Sequence, residues 1–320
     1  MDKLKPYVIG VDLGGTNTVF GIVSARGEVI AQDSIKTKQH KTAAEFVEAG
    51  LACLRPLVTQ VGGIEQIQGM GIGAPNGNYY NGTIEFAPNL PWAHDGVIPL
   101  AQLFSDALGI PVKLTNDANA AAMGEMTYGA ARGMKDFIMI TLGTGVGSGI
   151  VIDGKVVYGH DGSAGELGHT CAVRYNGRPC GCGKTGCLEA YCSAIGVART
   201  AREWLEASHE PSLLRVVEDL SSKAVYEAAK EGDALAIRVL EYTGRMLGHS
   251  LADFVAFSSP EAIVLFGGLA RAKEFLYAPI EEAMEANLMP HWRGKVKIVF
   301  SQLKESDAAI LGASALAREL

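Results

Sequence analysis

The sequence predicts an α/β protein of two domains, and three observations carry that reading. First, three short apolar runs each end in a glycine turn: Tyr7–Val11 before Gly14-Gly15, Phe137–Leu142 before Gly143–Gly149, and Ala262–Phe266 before Gly267-Gly268. Runs of this length, rich in β-branched residues and bounded by glycine, read as buried strands. Second, segments with apolar residues at helical spacing lie between the strands, the pattern of sheets covered by helices. Third, 320 residues, 48% apolar and 20% charged, are enough for two cores.

The elements follow in order. Val19–Val23 comes directly after Gly14-Gly15, so the chain turns tightly there and bares its backbone N–H groups. Such a tip can cradle a phosphate through amides and a hydroxyl. Asp12, at the strand end, can hold a metal ion and its waters. An ordinary hairpin with a polar tip is the alternative on these residues alone. Val29–Lys36 reads as a third strand, and Thr42–Val61 as a helix with Phe46, Val47, Leu51, Leu54 and Val58 on one face. Gln68–Ala74 is a buried strand. The Asn-, Gly- and Pro-rich stretch 75–99 reads as one long loop, a length that marks function. A helix over Leu100–Leu108 and a short strand over Val112–Leu114 lead to Thr115-Asn116-Asp117-Ala118-Asn119 and an Ala-rich helix. Asp117 follows a strand end, where sites open in α/β folds; it also suits a helix N-cap.

From the Gly143 turn a second hairpin over Gly149–Tyr158 leads to Gly162–His169 and then to a cysteine-rich loop from Cys171 to Cys192. Ala194–Ala256 is mostly helical, with Asp233–Phe254 its longest pattern. Lys295–Phe300 is a late strand, and Ser306–Leu320 a closing helix whose alanine face is small enough to pack tightly. Each half begins with a strand–glycine–strand unit, which points to an old duplication.

The formal net charge of −7, with no basic stretch, argues against a nucleic-acid partner. No apolar run approaches the ~20 residues that cross a bilayer. Met1–Pro6 carries no apolar signal segment, so the expected location is the cytoplasm, with no membrane partner.

Cys180-Gly181-Cys182-Gly183-Lys184-Thr185-Gly186-Cys187 holds three thiols at C-x-C-x4-C spacing, with glycines that let the backbone wrap a small ion. His169 lies upstream and can supply a nitrogen. Three sulfurs and one imidazole make a closed tetrahedral set, the donor chemistry of structural zinc. Cys53 reads as core, and the spacing requires neither Cys171 nor Cys192. The metal would fix the loop and, through His169, the segment that precedes it.

The order of the three glycine turns resembles the actin-like ATPase fold shared by sugar kinases, Hsp70 and actin, which implies two domains with a cleft between them. More closely, the chain resembles the ROK family of bacterial sugar kinases and repressors over nearly its whole length. Asp12-Leu13-Gly14-Gly15-Thr16 matches the family's phosphate-binding start, Asn116-Asp117-Ala118-Asn119 its catalytic motif, and Gly143-Thr144-Gly145-Val146-Gly147 its second phosphate loop. Glu166-Leu167-Gly168-His169 matches the E-x-G-H sugar motif, and Cys180 to Cys187-Leu188-Glu189 the zinc signature. Ser148 stands where many members carry glycine; serine is small and can still bind phosphate.

The resemblance implies ATP-dependent phosphorylation of a hexose at its 6-hydroxyl, with glucose the first choice. N-acetylmannosamine, N-acetylglucosamine and fructose are the alternative sugars. Asp117 would be the base that takes the hydroxyl proton. Asn76, Asn89, Asn116, Asp117, Glu166, His169 and Glu189 would hold the sugar. Asp12, Gly14, Gly15, Thr16, Asn17, Thr144 and Gly145 would hold the phosphates of ATP with Mg2+, and Gly267 and Gly268 would lie near the adenosine. His169, Cys180, Cys182 and Cys187 would hold structural Zn2+. Loss of that metal is expected to loosen the sugar contacts at Glu166 and Glu189 before the phosphate turns, which lie elsewhere in sequence. The implied organisation is an N-terminal domain over 1–117 carrying Asp117, a larger domain over 118–305 with the zinc loop and adenosine site, and a helix over 306–320 packing back on the first. A homodimer is expected.

Two other functions compete. A sugar-sensing repressor of the same family would carry a DNA-binding domain ahead of the first strand, and that strand begins at Tyr7, leaving no room for a helix-turn-helix. An actin-like filament or chaperone ATPase has no place for the zinc loop or the E-x-G-H motif.

Overall fold

The computed structural model describes residues 5–303 and 305–320; Met1 to Leu4, the start of the stretch read for a signal segment, lie outside the described residues. The chain forms two compact units. The first comprises Met1–Gly133, Val156–Ala164 and Gln302–Leu320, and the second Met134–Lys155 and Gly165–Ser301. The position taken as the end of the first domain, Asp117, is the first residue of a helix inside the first unit.

The first unit opens with β1 (Tyr7–Leu13), β2 (Asn17–Ser24) and β3 (Val29–Lys36), followed by α1 (Ala43–Gln60) and β4 (Ile67–Ala74). The stretch 75–99 is not a bare loop. It folds as a small antiparallel sheet of β5 (Gly77–Asn78), β6 (Thr83–Glu85) and β7 (Val97–Ile98), with runs too short to show a period in the sequence. Then come α2 (Leu100–Leu108), β8 (Val112–Asn116) and α3 (Asp117–Tyr128). The main sheet has the order β3-β2-β1-β4-β8. Antiparallel pairing joins β1, β2 and β3, and parallel pairing joins β1, β4 and β8.

The second unit repeats the plan. Its strands are β9 (Phe137–Leu142), β10 (Val146–Ile152) and β11 (Lys155–Val156), the last crossing into the first unit at Val156. Helices α4 (Glu189–Cys192), α5 (Ala194–Ala207), α6 (Ser222–Lys230) and α7 (Ala234–Ser258) precede β12 (Ala262–Phe266), α8 (Lys273–Asn287) and β13 (Lys297–Phe300). The sheet order is β11-β10-β9-β12-β13, again with an antiparallel hairpin beside parallel strands. The chain then returns to the first unit with α9 (Glu305–Ala317).

Two details show how side-chain size shapes the packing. Thr42 caps α1, its side chain accepting from Glu45 N. The buried stripe of that helix is Phe46, Val47, Gly50, Cys53, Leu54 and Leu57, so the expected Leu51 and Val58 lie at its margin. The shift follows from Gly50: a Cβ there would come within 2.9 Å of the Phe20 ring, so the helix closes in over the glycine. In β4, glycine recurs at alternate positions, Gly69, Gly71 and Gly73, and leaves one face of the strand bare. A Cβ at Gly71 would strike the Ala313 carbonyl of α9, and one at Gly73 would meet Ala120 of α3 at 3.1 Å. The two helices approach each other closely as well, with the position of a Gly124 Cβ 2.9 Å from Gly312 Cα. Met70, Ile72 and Ala74, on the opposite face, belong to the apolar core with Ile9, Val11 and Phe20.

Gly71→Val should therefore lift α9 off the sheet. Overpacking of this kind costs about 1–3 kcal/mol or more, and the expected readout is a lower Tm in thermal unfolding; an unchanged Tm would show that α9 is not seated on β4.

Candidate active site

In the first unit the candidate side chains Asp12, Asn116 and Asp117 stand at the ends of the parallel strands. The register pairs Asp12 of β1 with Gly73 of β4, and Gly73 with Thr115 of β8. Asp12 and the Asn116-Asp117 pair thus lie at the carboxyl ends of β1 and β8, with a residue lacking a side chain between them. Asn116, not Asp117, caps α3: its Oδ1 accepts from Ala118 N at 2.8 Å. Asp117 is the first helical residue, and its Oδ1 accepts from the same N–H at 2.8 Å. Its side chain reaches solvent, yet the protein packed around it desolvates the carboxylate and raises its pKa, against the lowering effect of the Ala118 N–H. Asp12 is half-buried; burial first, and then the charge of Asp117, push its pKa up to about 6.

The turn between β1 and β2 closes on itself, with Gly14 N donating to Asn17 O at 3.0 Å. Two residues the sequence reading passed over hold it in place. Thr37 donates from Oγ1 to Gly14 O at 2.8 Å and from its backbone N to Thr16 O at 3.0 Å. Lys36 Nζ donates to Asn17 Oδ1 at 2.7 Å. Both lie at the end of the neighbouring strand and carry no motif of their own. Asn89 stands beside this turn: a Cβ on Gly15 would lie 3.3 Å from Asn89 Cβ. Asn76 is in the left-handed region (φ 53°), and its amide donates to the carbonyls of Glu85 and Phe86, so its donors tie the loop to itself.

In the second unit the turn after β9 is closed by Gly143 N donating to Gly145 O at 3.0 Å, and the start of α5 is pinned to it by Ala194 N donating to Gly143 O at 2.8 Å. Thr144 lines a cavity of about 560 Å³ together with Ala194, Ile195, Ala198, Arg199 and Ser221. Gly267, after β12, has φ 104°, and a Cβ there would strike Leu142, so this turn fits against the end of β9 as only glycine allows.

The cysteine loop brings its four predicted ligands together. One atom from each of His169, Cys180, Cys182 and Cys187 lies within 4.8 Å of all the others. His169 Nδ1 is 3.7 Å from Cys180 Sγ, and Cys182 Sγ is 3.7 Å from Cys187 Sγ. His169 Nε2 faces Glu166 Oε2 at 4.0 Å, which leaves Nδ1 for the sulfur side. Burial raises the Cys180 thiol to about 12 and also raises Cys187, whereas the Lys184 N–H lowers Cys182. Three sulfurs and an imidazole nitrogen gathered this closely fit a site completed by a cation. Arg178, missed in the sequence, anchors the loop: its guanidinium lies 4.6 Å over the Tyr191 ring and donates to Thr200 Oγ1 and Glu203 Oε2.

Two expectations change here. Ser148 is buried, donates to Gly165 O and accepts from Leu167 N, so its hydroxyl holds the E-x-G-H segment instead of a phosphate. Nor is the Gly145 turn independent of the cysteine loop. Glu189 Oε2 accepts from Val146 N at 3.0 Å, and Cys180 Sγ donates to Glu189 Oε1 at 3.5 Å, so one carboxylate joins the two. Gly168 adds a second close approach, since a Cβ there would strike the Val146 carbonyl.

Two α/β units with glycine turns at strand ends and carboxylates beside one of them define an actin-like ATPase fold. The model of the ROK family matches residues 8–320, and the chain belongs to that family. The chain is 35% identical to the glucokinase of Thermotoga maritima, over 100% of this chain and 99% of the relative. A crystal structure of a ROK family glucokinase from Streptomyces griseus in complex with glucose and AMPPNP is 35% identical, with a TM-score of 0.78 over 98% of this chain and 100% of that one. A ROK family transcriptional regulator, a homologue of the E. coli MLC protein, has a TM-score of 0.87 at 28% identity, over 100% of this chain and 79% of its own.

Asp12→Asn should stabilise the fold at neutral pH. The carboxyl's pKa of about 6 exceeds its ordinary value of 3.8, so its cost to the fold appears as pH rises through that interval and is absent below it. The Tm of the variant should exceed that of wild type at pH 7 and converge with it toward pH 4. Each kcal/mol relieved is worth about 2–4 °C in a domain of this size. A gap that does not change with pH would exclude a strained Asp12.

Proposed function

We propose that the protein is an ATP-dependent hexose kinase that phosphorylates glucose at its 6-hydroxyl. The observation that carries this reading is the pair of carboxylates with raised pKa values at the ends of β1 and β8, one of them in the matched catalytic motif. Asp117 takes the hydroxyl proton, and its raised pKa makes it a better base near neutrality. Asn116, Asn89, Glu166, His169 and Glu189 hold the sugar, with Asn76 adding only its Oδ1 because its amide donates to the loop carbonyls, and Glu189 also fixes the Val146 N–H. Gly14, Gly15, Thr16 and Asn17 with Thr144 and Gly145 bind the phosphates, and Asp12 would hold Mg2+. Bound there, Mg2+ neutralises charge on the transferring phosphoryl group. The adenosine lies near Gly267 and Gly268.

His169 Nδ1, Cys180, Cys182 and Cys187 hold a structural zinc ion that cross-links the loop. The protein acts as a homodimer in the cytoplasm; no helix among the described residues is long and apolar enough to cross a membrane. N-acetylmannosamine, N-acetylglucosamine and fructose are the competing sugars, separated by ADP release over a hexose panel. A second reading, a sugar-responsive transcriptional regulator, is favoured by the TM-score of 0.87. Identity favours the kinase, at 35% against 28%.

Asp117→Asn should bind glucose as wild type does and lose turnover by about 10²–10⁴-fold. In wild type, kcat/KM should fall as pH drops through about 6, where Asp12 takes up a proton. Retention of more than about a tenth of the rate in the variant would remove Asp117 from the role of base.

One zinc per chain is expected in elemental analysis. Cys180→Ala should lose it, with a lower Tm and higher KM values for both glucose and ATP, because Glu189 joins the loop to the Gly145 turn. A zinc-free wild-type protein, or a variant with only its sugar KM altered, would contradict this arrangement.

A further inference from the structure

The segment Val156–Ala164 crosses from the second unit into the first, and three consecutive residues of the 75–99 stretch grip it. Asn78 Nδ2 donates to Asp161 O at 2.8 Å. The Tyr79 ring stacks on Tyr158 with centroids 3.9 Å apart and planes at 6°. Tyr80 OH donates to Gly159 O at 2.7 Å. The grip is itself braced. Asn78 Oδ1 accepts from Tyr80 N at 3.0 Å, and Lys113 of β8 donates to the Tyr79 hydroxyl at 3.2 Å while pairing with Glu319.

The far end of Tyr158 reaches the elements that carry Asp117. Its hydroxyl points at Met123 Sδ of α3 at 3.9 Å and lies beside Thr115 of β8. Thr115 is two residues before Asp117, and α3 begins at Asp117. The same side chain is thus clamped at its ring by the stretch that opens with Asn76 and meets, at its hydroxyl, the strand and the helix that flank Asp117. Its stacking partner Tyr79 packs in turn, with Val156, against the buried cluster of Met123, Ala315 and Leu316.

We propose that Tyr158 is a positioning residue for Asp117: its ring, seated by Tyr79, sets where the β8–α3 junction stands relative to the Asn76 stretch. The claim rests on Asp117 being the base, and it divides the work: Tyr79 seats the ring, and the hydroxyl end meets α3 and β8. A base displaced by about 1 Å loses about 10²-fold in rate, while a nucleotide bound elsewhere is unaffected.

The test compares Tyr158→Leu, Tyr158→Phe and Asn78→Ala in the full chain. Tyr158→Leu should lower kcat by about 10–10²-fold with glucose and leave the KM for ATP unaltered. Tyr158→Phe, which keeps the seated ring, should lose less kcat than Tyr158→Leu, and Asn78→Ala should fall between wild type and Tyr158→Leu. Hydrogen exchange provides a readout independent of turnover: amides over 116–120 should exchange about tenfold faster in Tyr158→Leu, with β9 and β10 unchanged. Unchanged exchange over 116–120 overturns the proposal, as does a wild-type kcat in Tyr158→Leu or a loss in Tyr158→Phe equal to that in Tyr158→Leu. Faster exchange in β9 and β10 as well would mark general loosening and also overturn it. Should wild type phosphorylate no hexose, the kinase reading fails, and the exchange over 116–120 still decides the clamp.

Discussion

The parallel pairing of β4 between β1 and β8 is the constraint on which the chemistry of the first unit depends. Side chains in a strand alternate between faces, so a slip of one residue would turn Asp12 or Asn116 to the opposite face. The register is specified from both faces of β4. Met70, Ile72 and Ala74 enter the core on one side, and the bare stripe of Gly69, Gly71 and Gly73 receives α9 and α3 on the other. Neither arrangement survives a shift by one, because glycine would then face the core and isoleucine the helices. The stripe also explains why the C-terminal helix is rich in alanine: a helix lying on bare backbone has room for nothing larger along that line.

In the second unit the equivalent coupling runs through Glu189. A carboxylate that accepts from Val146 N and faces Cys180 Sγ makes the shape of the glycine turn depend on the shape of the cysteine loop. Such a loop has little core of its own. Its order comes from Arg178 packed on Tyr191 and from Lys184 Nζ donating to His169 O. Ser148 performs a related task beneath the E-x-G-H segment, where a hydroxyl satisfies two backbone groups that glycine would leave to water.

The two sheets share one plan: an antiparallel hairpin with a glycine turn, then two parallel strands. Both turns are closed by a glycine N–H donating to a carbonyl a few residues on. They differ in what surrounds them. The first is braced from β3 by Thr37 and Lys36, the second from α4 and α5 by Glu189 and Ala194. The plan is common to both halves, and the bracing is where they differ.

Much of this was legible in the sequence because it is local. Apolar runs that stop at glycine gave their strands away; the ranges Val29–Lys36, Leu100–Leu108 and Phe137–Leu142 recur unchanged. Three thiols within eight residues and an upstream histidine could be paired with one ion by donor chemistry alone. What sequence could not show depends on residues distant in the chain. The short strands β5 to β7 have no period to read, since two or three residues define none. The roles of Thr37, Lys36, Arg178 and Tyr158 carry no motif, because each acts through a partner that only the fold brings near. Sequence by itself determined which residues could do the chemistry and the type of each element, through spacing, turn residues and ligand identity. Tertiary structure decided which of those side chains remain available and which, like Ser148 and the Asn76 amide, satisfy the backbone, because a buried polar group must find a partner before it can serve a ligand.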